Sequence, residues 1–515
     1  MKQIIPDSWK QELNAFKEKT EAFYAGELDK NSYKGFSGKY GSYAQKGGKA
    51  HMLRLRMTAG RLTKEKMAFA ADAIRNHSVD MIHFTTCQTL QLHNLQRNSV
   101  YDIMEHALDC GIVTMGGGGD YPRNVMCSPL SGVEKGEYFD VMPYAEATAE
   151  YAMSFINAEK MPRKLKIGFS SSPSNIPHVT FRDLGFAARE DGAFDVYSAG
   201  GLGSNPKFGV KIAEAVRPDQ VLYYVKAMWL TFRSYGNYEN RGKARTRYMV
   251  EALGGAENYK NAFLEKLKEV MDSGEDLTLH LTVPAITKQG DGSEASGPRV
   301  IAQKQAGLYA VKWHPIGGSP APEDFCALYD VIKDMEAVEL RLDPDETVYI
   351  INLTGAEAEK VLDATANGAE SLFEYSVSCI GASICQQGVR DSQALLRACV
   401  QSVRDAKIPC GALPLIHISG CPSSCGTHQT GAIGFRGGVK LIDKVPHPAF
   451  VLYVNGCSVQ GREAMGREVG TMLEAEIPAF LVSLGNTVAA SGMTFEEWNA
   501  KDPSAIDRAA APYLK

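Results

Sequence analysis

The sequence predicts an α/β protein built from two related halves, and three observations indicate this. Strand-like and helix-like stretches alternate, as in HMLRLRM, TKEKMAFAADAIRNH, DMIHFTTCQTLQLHNL and VYDIMEHALDCG. The same order of elements returns about 258 residues later, and the matched pairs are Gly60 and Gly318, Thr89 and Thr347, and Asn94 and Asn352. The length of 515 residues exceeds what one hydrophobic core supports.

The elements fall into five consecutive segments. Residues 1–45 are a polar lead-in that contains the helix-prone DSWKQELNAFKEKTEAFYAGEL. The first copy of the repeat occupies 46–112 and 113–292, and it includes a strongly helical stretch that starts with PDQVLYYVKAMWL. The linker QGDGSEASGPR is the clearest domain boundary, and the second copy covers 293–370 and 371–515.

A later part of the repeat differs between the copies in its chemistry. KIGFSSSPSNIPHVTFRDLGF aligns with PLIHISGCPSSCGTHQTGAIGF, so that Pro173 falls on Pro422. In this alignment the first copy has serine and isoleucine where the second has cysteines, and the pairs are Ser172 with Cys421 and Ile176 with Cys425. A duplicated fold that kept metal ligands in one half explains the difference.

Two cysteine pairs near the C-terminal end predict a metal site. The pairs are Cys379 with Cys385, which have five residues between them, and Cys421 with Cys425, which have three. Such pairs hold either a zinc ion or an iron–sulfur cluster. The longer spacing and the surrounding Gly, Ser and Pro favour the larger iron–sulfur group, around which the backbone must bend. Four unrelated buried thiols are the structural alternative.

The composition excludes several classes of protein. A formal net charge of −5 argues against a nucleic-acid partner. Eleven cysteines in a chain of this length are not a disulfide framework. The polar start MKQIIPDSWKQELNAFKEK carries no secretory signal, and no apolar run approaches the roughly 18–20 residues of a membrane span. We therefore expect a protein of the reducing cytoplasm.

Basic residues of the first half lie in predicted strands or beside turns; they are Arg54, Arg56, Arg123, Arg163, Lys164 and Lys166. Lys164 and Lys166 are two residues apart at the start of a strand, so both point to the same face. Like charges on a half-buried face predict a small anion between them, and solvated surface charges are the alternative. Four glycines at 116–119 would let the backbone approach a flat ligand or a phosphate.

The order MLRLR, TT-x-QTLQLH, PRNV, PRKLK, C-x5-C and GCPSSC resembles the sirohaem-containing sulfite and nitrite reductase family, from about residue 35 to 490. The resemblance implies an internally duplicated nitrite/sulfite reductase fold of the α/β (α+β) class. Sirohaem and a [4Fe–4S] cluster are expected between its two pseudo-symmetric halves. In these terms 1–45 is an N-terminal extension, 46–112 and 293–370 are ferredoxin-like half-domains, 113–292 is a clusterless sirohaem and substrate domain, and 371–515 is the [4Fe–4S] and sirohaem domain.

The resemblance also implies roles for single residues. The cluster ligands are expected to be Cys379, Cys385, Cys421 and Cys425, with Cys425 also bound to the sirohaem iron. The residues expected to bind the substrate anion and supply protons are Arg54, Arg123, Lys164 and Lys166. The residues expected to contact the cofactor are Arg56, Thr85, Gln91, His93, Asn124 and Arg163.

The expected reaction is the six-electron reduction of sulfite to sulfide. No flavin or nicotinamide fingerprint is evident, so the electrons are expected from a separate low-potential donor such as ferredoxin. Lysine at both alternate positions of PRKLK favours sulfite, because a doubly charged anion gains more from the second cation. Reduction of nitrite to ammonia is the first alternative, and a non-catalytic iron–sulfur electron carrier or sensor is the second.

Four positions differ from the family pattern or have no assigned role. Cys87 stands where the family has arginine in Thr-Thr-Arg-Gln, and a thiol cannot replace a bidentate guanidinium. Ser423 replaces an asparagine between the last two cysteines. Gly118 falls where some members carry a cysteine cross-linked to tyrosine, so no such link is expected. Cys127 aligns with Cys385 in the repeat and is expected to be a plain buried thiol.

Overall fold

The computed structural model describes residues 7–283 and 285–514, so the first six residues of the predicted N-terminal extension lie outside the described part. The helices are α1 (Asp7–Tyr24), α2 (Lys30–Ser37), α3 (Lys64–Asn76), α4 (Arg97–Asp109), α5 (Met142–Met153), α6 (Val221–Tyr235), α7 (Arg247–Ala252), α8 (Ala256–Asp272), α9 (Pro322–Ile332), α10 (Gly355–Ala364), α11 (Ser392–Asp405), α12 (Ile477–Ala490), α13 (Phe495–Lys501) and α14 (Ala505–Ala510).

The strands of the first half are β1 (Ser42–Ala44), β2 (His51–Arg56), β3 (Arg61–Leu62), β4 (Ile82–Phe84), β5 (Thr89–Leu95), β6 (Met126–Cys127), β7 (Ile167–Ser170), β8 (Leu184–Ala188), β9 (Phe194–Ser198) and β10 (Val210–Val216). The strands of the second half are β11 (Val300–Ala302), β12 (Tyr309–Trp313), β13 (Glu339–Leu342), β14 (Val348–Leu353), β15 (Val377–Ser378), β16 (Ile416–Ser419), β17 (Ile433–Ile442), β18 (Val445–Val454) and β19 (Arg467–Leu473).

In the described residues these strands form four sheets, which are two matching pairs. The antiparallel sheet β1-β2-β5-β4 has the same order as β11-β12-β14-β13 in the second half. The larger sheets β6 to β10 and β15 to β19 each have two parallel pairings followed by two antiparallel ones. The predicted α/β class and internal duplication are confirmed.

The duplication extends to single hydrogen bonds. Gln45 Nε2 donates to Asn94 Oδ1 at 2.8 Å, and Gln303 Nε2 donates to Asn352 Oδ1 at 3.1 Å. In both pairs the asparagine N–H donates back to the glutamine side chain at 2.7 Å. Both asparagines have left-handed φ, 57° and 64°, which this residue type tolerates better than most. The match at these positions explains why the repeat is visible in the sequence.

The two smaller sheets share one core. The ring of Phe84 in β4 packs against Trp313 of β12 at 6.0 Å and against Phe325 of α9 at 6.3 Å. Strand β3 of the first half completes the sheet of the second by pairing Leu62 with Leu340 of β13. The halves are therefore joined through backbone hydrogen bonds as well as through apolar packing.

Two details of the predicted elements are wrong. DMIHFTTCQTLQLHNL is two strands, β4 and β5, because the chain turns at residues 85–88, where Gln88 has φ of 53°. Cys127 does not match Cys385. Cys127 lies opposite Phe169 in the β6–β7 pair, and Ser378 lies opposite Ile418 in the β15–β16 pair, so Ser378 is the counterpart of Cys127. The register shifts because the connection from β5 to β6 is longer than that from β14 to β15.

No single helix within the described ranges is both long and apolar enough to cross a membrane. The segments Glu474–Ala490 and Phe495–Lys501 are long and apolar enough only when taken together, and the chain bends by 83° between them.

Candidate active site

The structure brings the two cysteine pairs together. Cys379 directly follows β15, and Cys421 and Cys425 lie in the loop after β16, which runs parallel to β15, so both loops leave the same sheet edge. The Gly420 N–H donates to Cys379 Sγ at 3.2 Å. Burial raises the pKa of Cys379 to about 12, and the neighbouring Cys425 adds to this rise. Cys421 and Cys385 in turn raise the pKa of Cys425, so the four thiols form one group.

The donors of this group are four thiols. Thiolates are soft ligands, and four of them in two pairs suit an iron–sulfur cluster. The chemistry of the donors therefore fits the cluster that the resemblance implies, and the assignment of the individual ligands stays a prediction.

The corresponding loops of the first half keep the geometry without the thiols. Ser128 occupies the place of Cys379, because β6 ends where β15 ends. The Ser171 N–H donates to Ser128 Oγ at 3.0 Å, as the Gly420 N–H does to Cys379 Sγ. A hydroxyl is a poor ligand for iron–sulfur clusters, so the metal chemistry belongs to one half.

Cys425 connects the cysteine group to a group of cations. This residue is solvent-accessible, yet burial among its neighbours raises its pKa, so protein surrounds its sulfur on most sides. The charges of Lys164 and Lys166 oppose that rise, so both ammonium groups face the thiol. The pKa of Lys164 is lowered well below its usual value by burial and by the neighbouring cations Lys166 and Arg245.

Arg54 and Arg123 are brought together on the glycine loop at residues 116–119. Arg54 Nη1 and Arg123 Nη1 both donate to the Gly117 carbonyl, the second at 2.8 Å. With its carboxamide oxygen toward Arg54, Gln91 accepts from Arg54 Nε at 3.0 Å and donates to His93 Nε2 at 3.1 Å. Gln91 and His93 therefore lie behind Arg54 and fix the direction of its guanidinium.

The glycine run packs closely within the protein, and the approach of a flat ligand to it stays a prediction. A Cβ on Gly118 would lie 2.3 Å from Tyr43 Oη and 2.6 Å from the Gly38 carbonyl. Tyr43 Oη accepts from the Gly119 N–H at 2.8 Å, which holds the loop on β1. Gly116 has φ of 73°, and a Cβ there would meet Arg56 Nη1 at 2.6 Å.

Several residues predicted to contact the cofactor are engaged by the protein. Arg56 donates to the carbonyls of residues 115, 122 and 123 at 2.9, 3.2 and 3.0 Å. Asn124 Nδ2 donates to those of residues 57, 87 and 88 at 2.8, 3.1 and 3.0 Å. Arg163 pairs with Asp120 at 2.6 Å, and Thr85 Oγ1 accepts from the Thr89 N–H at 3.2 Å. These side chains hold the segments that carry the site, and their cofactor contacts stay predictions.

Three arginines at the site were not predicted from the sequence: Arg182, Arg245 and Arg247. Arg245 Nη2 donates to both oxygens of the fully buried Asp183 at 3.1 Å. Arg247 lies beside Gly203, where an added Cβ would be 3.3 Å from Arg247 Nη2 and 3.7 Å from the carbonyl of Pro422, the residue after Cys421. The sequence carries one sign of such a site. Arg245 and Arg247 are two residues apart in GKARTR, as Arg54 and Arg56 are in HMLRLRM.

The donors left over at this site fit a polyanionic cofactor. Arg245 Nε, Arg247 Nε, Arg247 Nη1 and Arg123 Nε are buried and have no hydrogen-bond partner among the described residues. Burying a charged hydrogen-bond donor without an acceptor costs free energy. Carboxylates of a bound cofactor would provide the missing acceptors and the opposite charge. A macrocycle with several carboxylates would supply these acceptors.

Comparisons with known proteins give the same result. The model of the nitrite/sulfite reductase ferredoxin-like half domain matches residues 43–109, and the model of the nitrite and sulphite reductase 4Fe-4S domain matches residues 118–271. The fold is that of Mycobacterium tuberculosis NirA, with a TM-score of 0.75 and 22% identity over 92% of both chains.

Curated relatives extend the similarity over most of the chain. The ferredoxin–nitrite reductase of Synechococcus elongatus is 27% identical over 75% of this chain and 76% of its own. The sulfite reductase (ferredoxin) 1 of Mycolicibacterium paratuberculosis is 25% identical over 76% and 70%. The assimilatory ferredoxin-dependent nitrite reductase of Haloferax mediterranei is 25% identical over 99% and 92%. The chain is therefore similar over most of its length to nitrite and sulfite reductases, and this similarity implies sirohaem and a [4Fe–4S] cluster as its cofactors.

Proposed function

We propose that this oxidoreductase reduces sulfite to sulfide, taking six electrons from a separate low-potential donor. The observation that carries the proposal is the concentration of buried cations around Cys425. Two of them, Lys164 and Lys166, come from a single strand start. A doubly charged oxyanion gains about twice the Coulomb energy of a singly charged one from such a set.

The proposed roles follow from how the side chains are held. Arg54 and Arg123 share the Gly117 carbonyl, so their guanidinium groups are fixed before the substrate arrives. Fixed donors stabilise developing negative charge without a cost of reorganisation. Lys164, whose pKa burial and nearby cations lower, gives up a proton more readily than an exposed lysine does. Such protons are needed because each oxygen removed from the anion leaves as water.

The cofactors have proposed positions within this arrangement. Cys379, Cys385, Cys421 and Cys425 would hold the cluster, and Cys425 would also bind the sirohaem iron. When bound, the two groups supply single electrons and an iron that takes the substrate. The protein's part is to bind the anion, exclude competing water and hold protons at the two lysines.

A small electron-carrying protein is the proposed partner. Relatives that match most of the chain are named ferredoxin-dependent reductases, which supports ferredoxin as the donor. We also propose the cytoplasm as the compartment, and the segment boundaries 46–112, 113–292, 293–370 and 371–515 as the domain boundaries.

Nitrite reduction to ammonia is the second candidate, and two observations favour it. Relatives named as nitrite reductases include those of Synechococcus elongatus and Haloferax mediterranei. The thiol of Cys87 also lies beside Lys166 and offsets part of the charge that would favour sulfite.

The test compares both anions with a reduced viologen as donor. For the wild type we expect a larger kcat/KM with sulfite, and a much larger value with nitrite would overturn the proposal. In Lys166→Asn the factor by which kcat/KM falls with sulfite is expected to be about the square of the factor with nitrite, for example about ninefold against threefold. The reason is that the interaction energy scales with the charge of the anion. Lys207→Asn, at an exposed lysine of the same half, is the matched control.

An absorption spectrum of the anaerobically purified protein tests whether the chain is an enzyme at all. Sirohaem bands are expected together with iron and acid-labile sulfide. Iron and sulfide without those bands would support the electron carrier or sensor and exclude both reductase activities.

A further inference from the structure

The hairpin of β17 and β18 extends beyond the rest of its sheet. Strand β16 ends at Ser419, which lies opposite Arg436, whereas β17 continues to Ile442. On the other side, β19 pairs with β18 from Ala449 onwards. Within the described sheet, residues 438–448, which we call the arm, therefore have strand partners only in their own hairpin.

One face of the arm is apolar and exposed. Val439 lies opposite Pro448, and Leu441 lies opposite Pro446. Residues two apart in a strand share a face, and so do residues directly opposite each other, so these four side chains form one patch. Val439 is 52% exposed, Leu441 is 67% exposed, and both prolines are exposed. A contiguous apolar patch of this kind is typical of a surface that binds another protein.

The arm starts at the loops that carry the cysteines. Gly437 lies on the same face as the patch, and a Cβ there would be 2.4 Å from the Gly420 carbonyl and 3.0 Å from Arg390 Cβ. Gly420 directly precedes Cys421. A strand rises about 3.3 Å per residue, so the patch begins about 7 Å along β17 from this contact and ends about 13 Å from it.

The loop after Cys385 adds an exposed surface at the same place. The Gln387 N–H donates to Cys385 Sγ at 3.4 Å, and Gln387 itself is exposed. Val389 is also exposed, and its N–H donates to the Gly420 carbonyl at 2.9 Å. A protein that contacts the arm is therefore brought next to the cysteine group.

The segments around this loop are basic, although the whole chain has a formal net charge of −5. Gln386 Nε2 donates to the Ala44 carbonyl, which holds the turn at residues 44–50 against the loop at residues 385–390. A second copy of this surface would bring like charges together, whereas an acidic protein is complementary to it. The two segments and the arm contain five basic residues and one acidic residue, which are Lys46, Lys49, Arg390, Lys440, Lys444 and Asp443.

We propose that the arm is the docking surface for the protein that donates electrons, a small acidic one-electron carrier. The apolar patch packs against the centre of the carrier's docking face, and the basic residues around it face the carrier's carboxylates. Each docked carrier passes one electron to the cluster site and is itself oxidised by one electron. This inference rests on the proposed function, since it assumes that electrons arrive from a separate protein.

The first experiment measures docking without turnover. An acidic [2Fe–2S] ferredoxin in its oxidised form is titrated into the holoenzyme at low salt by isothermal calorimetry. In Val439→Ser and in Leu441→Ser we expect the Kd to rise about tenfold, because a few central side chains carry most of the binding energy of an interface. Val283→Ser, at a similarly exposed valine after α8, is the matched control and should keep the wild-type Kd. An unchanged Kd in both arm variants would overturn the proposal.

The second experiment compares two donors during turnover. Reduced methyl viologen is a small molecule that needs no docking surface, whereas ferredoxin needs one. In Leu441→Ser we expect kcat/KM for reduced ferredoxin to fall about tenfold relative to the viologen-driven rate of the same preparation. Lys444→Gln should lower kcat/KM for ferredoxin several-fold at low salt and much less at about 0.5 M salt, since salt screens exposed charges. Equal losses with both donors would place the effect inside the site and contradict docking at the arm.

The remaining outcomes separate this proposal from its alternatives. Light scattering after gel filtration detects a second copy. A wild-type dimer that becomes a monomer in Leu441→Ser, with an unchanged Kd for ferredoxin, would assign the arm to self-association and refute the proposal. If viologen drives the reduction of neither sulfite nor nitrite but the Kd for ferredoxin rises in Leu441→Ser, the proposed function fails and the docking surface stands.

Discussion

Asp183 binds several segments of the basic site through one side chain. Its carboxylate is fully buried and accepts from the Lys166 N–H at 2.8 Å, from Arg245 Nη2 at 3.1 Å and from Thr246 Oγ1. It thus fixes a lysine of the first predicted set and an arginine from the loop between α6 and α7. A buried charge of this kind stabilises mainly by satisfying its partners.

Asp183→Asn keeps the shape of the side chain and removes its charge. We expect a loss of about 2–3 kcal/mol in the free energy of unfolding, because Arg245 is left without its counter-ion. We also expect a roughly tenfold lower kcat/KM for the preferred anion, because Arg245 loses the carboxylate that positions its guanidinium, whereas the backbone N–H of Lys166 can still donate to the amide oxygen. Denaturant unfolding and steady-state kinetics measure the two effects. Asp191→Asn, at a half-exposed carboxylate, is the control. Unchanged stability of Asp183→Asn would contradict this account.

Cys421→Ser tests the cluster ligands. We expect the purified variant to lose most of its iron and acid-labile sulfide, because a hydroxyl does not replace a thiolate on an iron–sulfur cluster. Cys410→Ser, at an exposed thiol after α11, should keep both. Metal analysis and electron paramagnetic resonance of the reduced proteins give the measurement. Full retention of the cluster in Cys421→Ser would refute the assignment.

Single-residue prediction from the sequence is strongest where a residue type carries its own chemistry. The four cysteines stand out because thiols in spaced pairs have few other uses, and their role as cluster ligands stays a prediction. Arg182, Arg245 and Arg247 were missed, since arginine is common on surfaces and only the fold shows which ones are buried. Asp183 was missed for the same reason, because a buried carboxylate cannot be told from an exposed one by sequence.

At the scale of elements, the glycine loop at residues 116–119 is the support of the anion site. Its Gly117 carbonyl holds Arg54 and Arg123, and its close contact with Tyr43 and Gly38 leaves no space for a side chain at Gly118. The position of the loop therefore determines the position of the two guanidinium groups.

Gly118→Ala should move that loop. The new methyl group would lie 2.3 Å from Tyr43 Oη and 2.6 Å from the Gly38 carbonyl, so the loop must shift. We expect a loss of about 1–3 kcal/mol in unfolding free energy, the usual cost of overpacking, and a KM raised several-fold. Thermal unfolding and kinetics measure these changes. Gly35→Ala, where a Cβ has no neighbour within 4 Å, is the matched control; it should leave KM unchanged and, as an alanine inside α2, should not lower the stability. Equal behaviour of the two variants would show that the loop does not position the arginines.

Element prediction was accurate for the regular helices and strands and failed at the turns. The alternation of apolar residues in DMIHFTTCQTLQLHNL continues through the turn at 85–88, so the pattern gave no sign of a break. The turn is made by hydrogen bonds of Thr85 and Gln88 with the backbone and by Asn124, which is distant in sequence. Contacts of that kind cannot be derived from periodicity.

At the scale of the whole molecule, the two halves are interlocked at β3. Arg61 of this strand pairs with Glu339 of β13 at 2.8 Å and with Glu146 of α5 at 3.1 Å. Glu339 also binds Arg341 beside it and is itself nearly fully buried. The pairing of β3 with β13 makes each half depend on the other, so we expect one cooperative unfolding transition.

Glu339→Gln tests this joint and its pH dependence. Burial raises the pKa of Glu339, but Arg341 and Arg61 outweigh it, so the pKa lies below the usual 4.5. Because the pKa is lowered in the folded protein, the ion pair stabilises the fold above about pH 4.5. This contribution to the free energy of unfolding is lost as the pH falls through the lowered pKa. We expect the variant to be less stable by about 3 kcal/mol near neutral pH.

The difference in unfolding free energy between wild type and Glu339→Gln should become smaller below about pH 4.5. Chemical denaturation over a series of pH values measures it. Glu336→Gln, at an exposed neighbour, is the control. A difference that stays constant down to about pH 3 would contradict the ion-pair explanation.

The hydroxyl of Ser128 and the thiol of Cys379, which accept equivalent backbone N–H groups, bear on how the enzyme is assembled. Because a serine holds the loop of the first half as the cysteine does in the second, a loop of this type can form without a metal ligand at that position. We therefore expect the chain to fold this loop before the cluster is inserted.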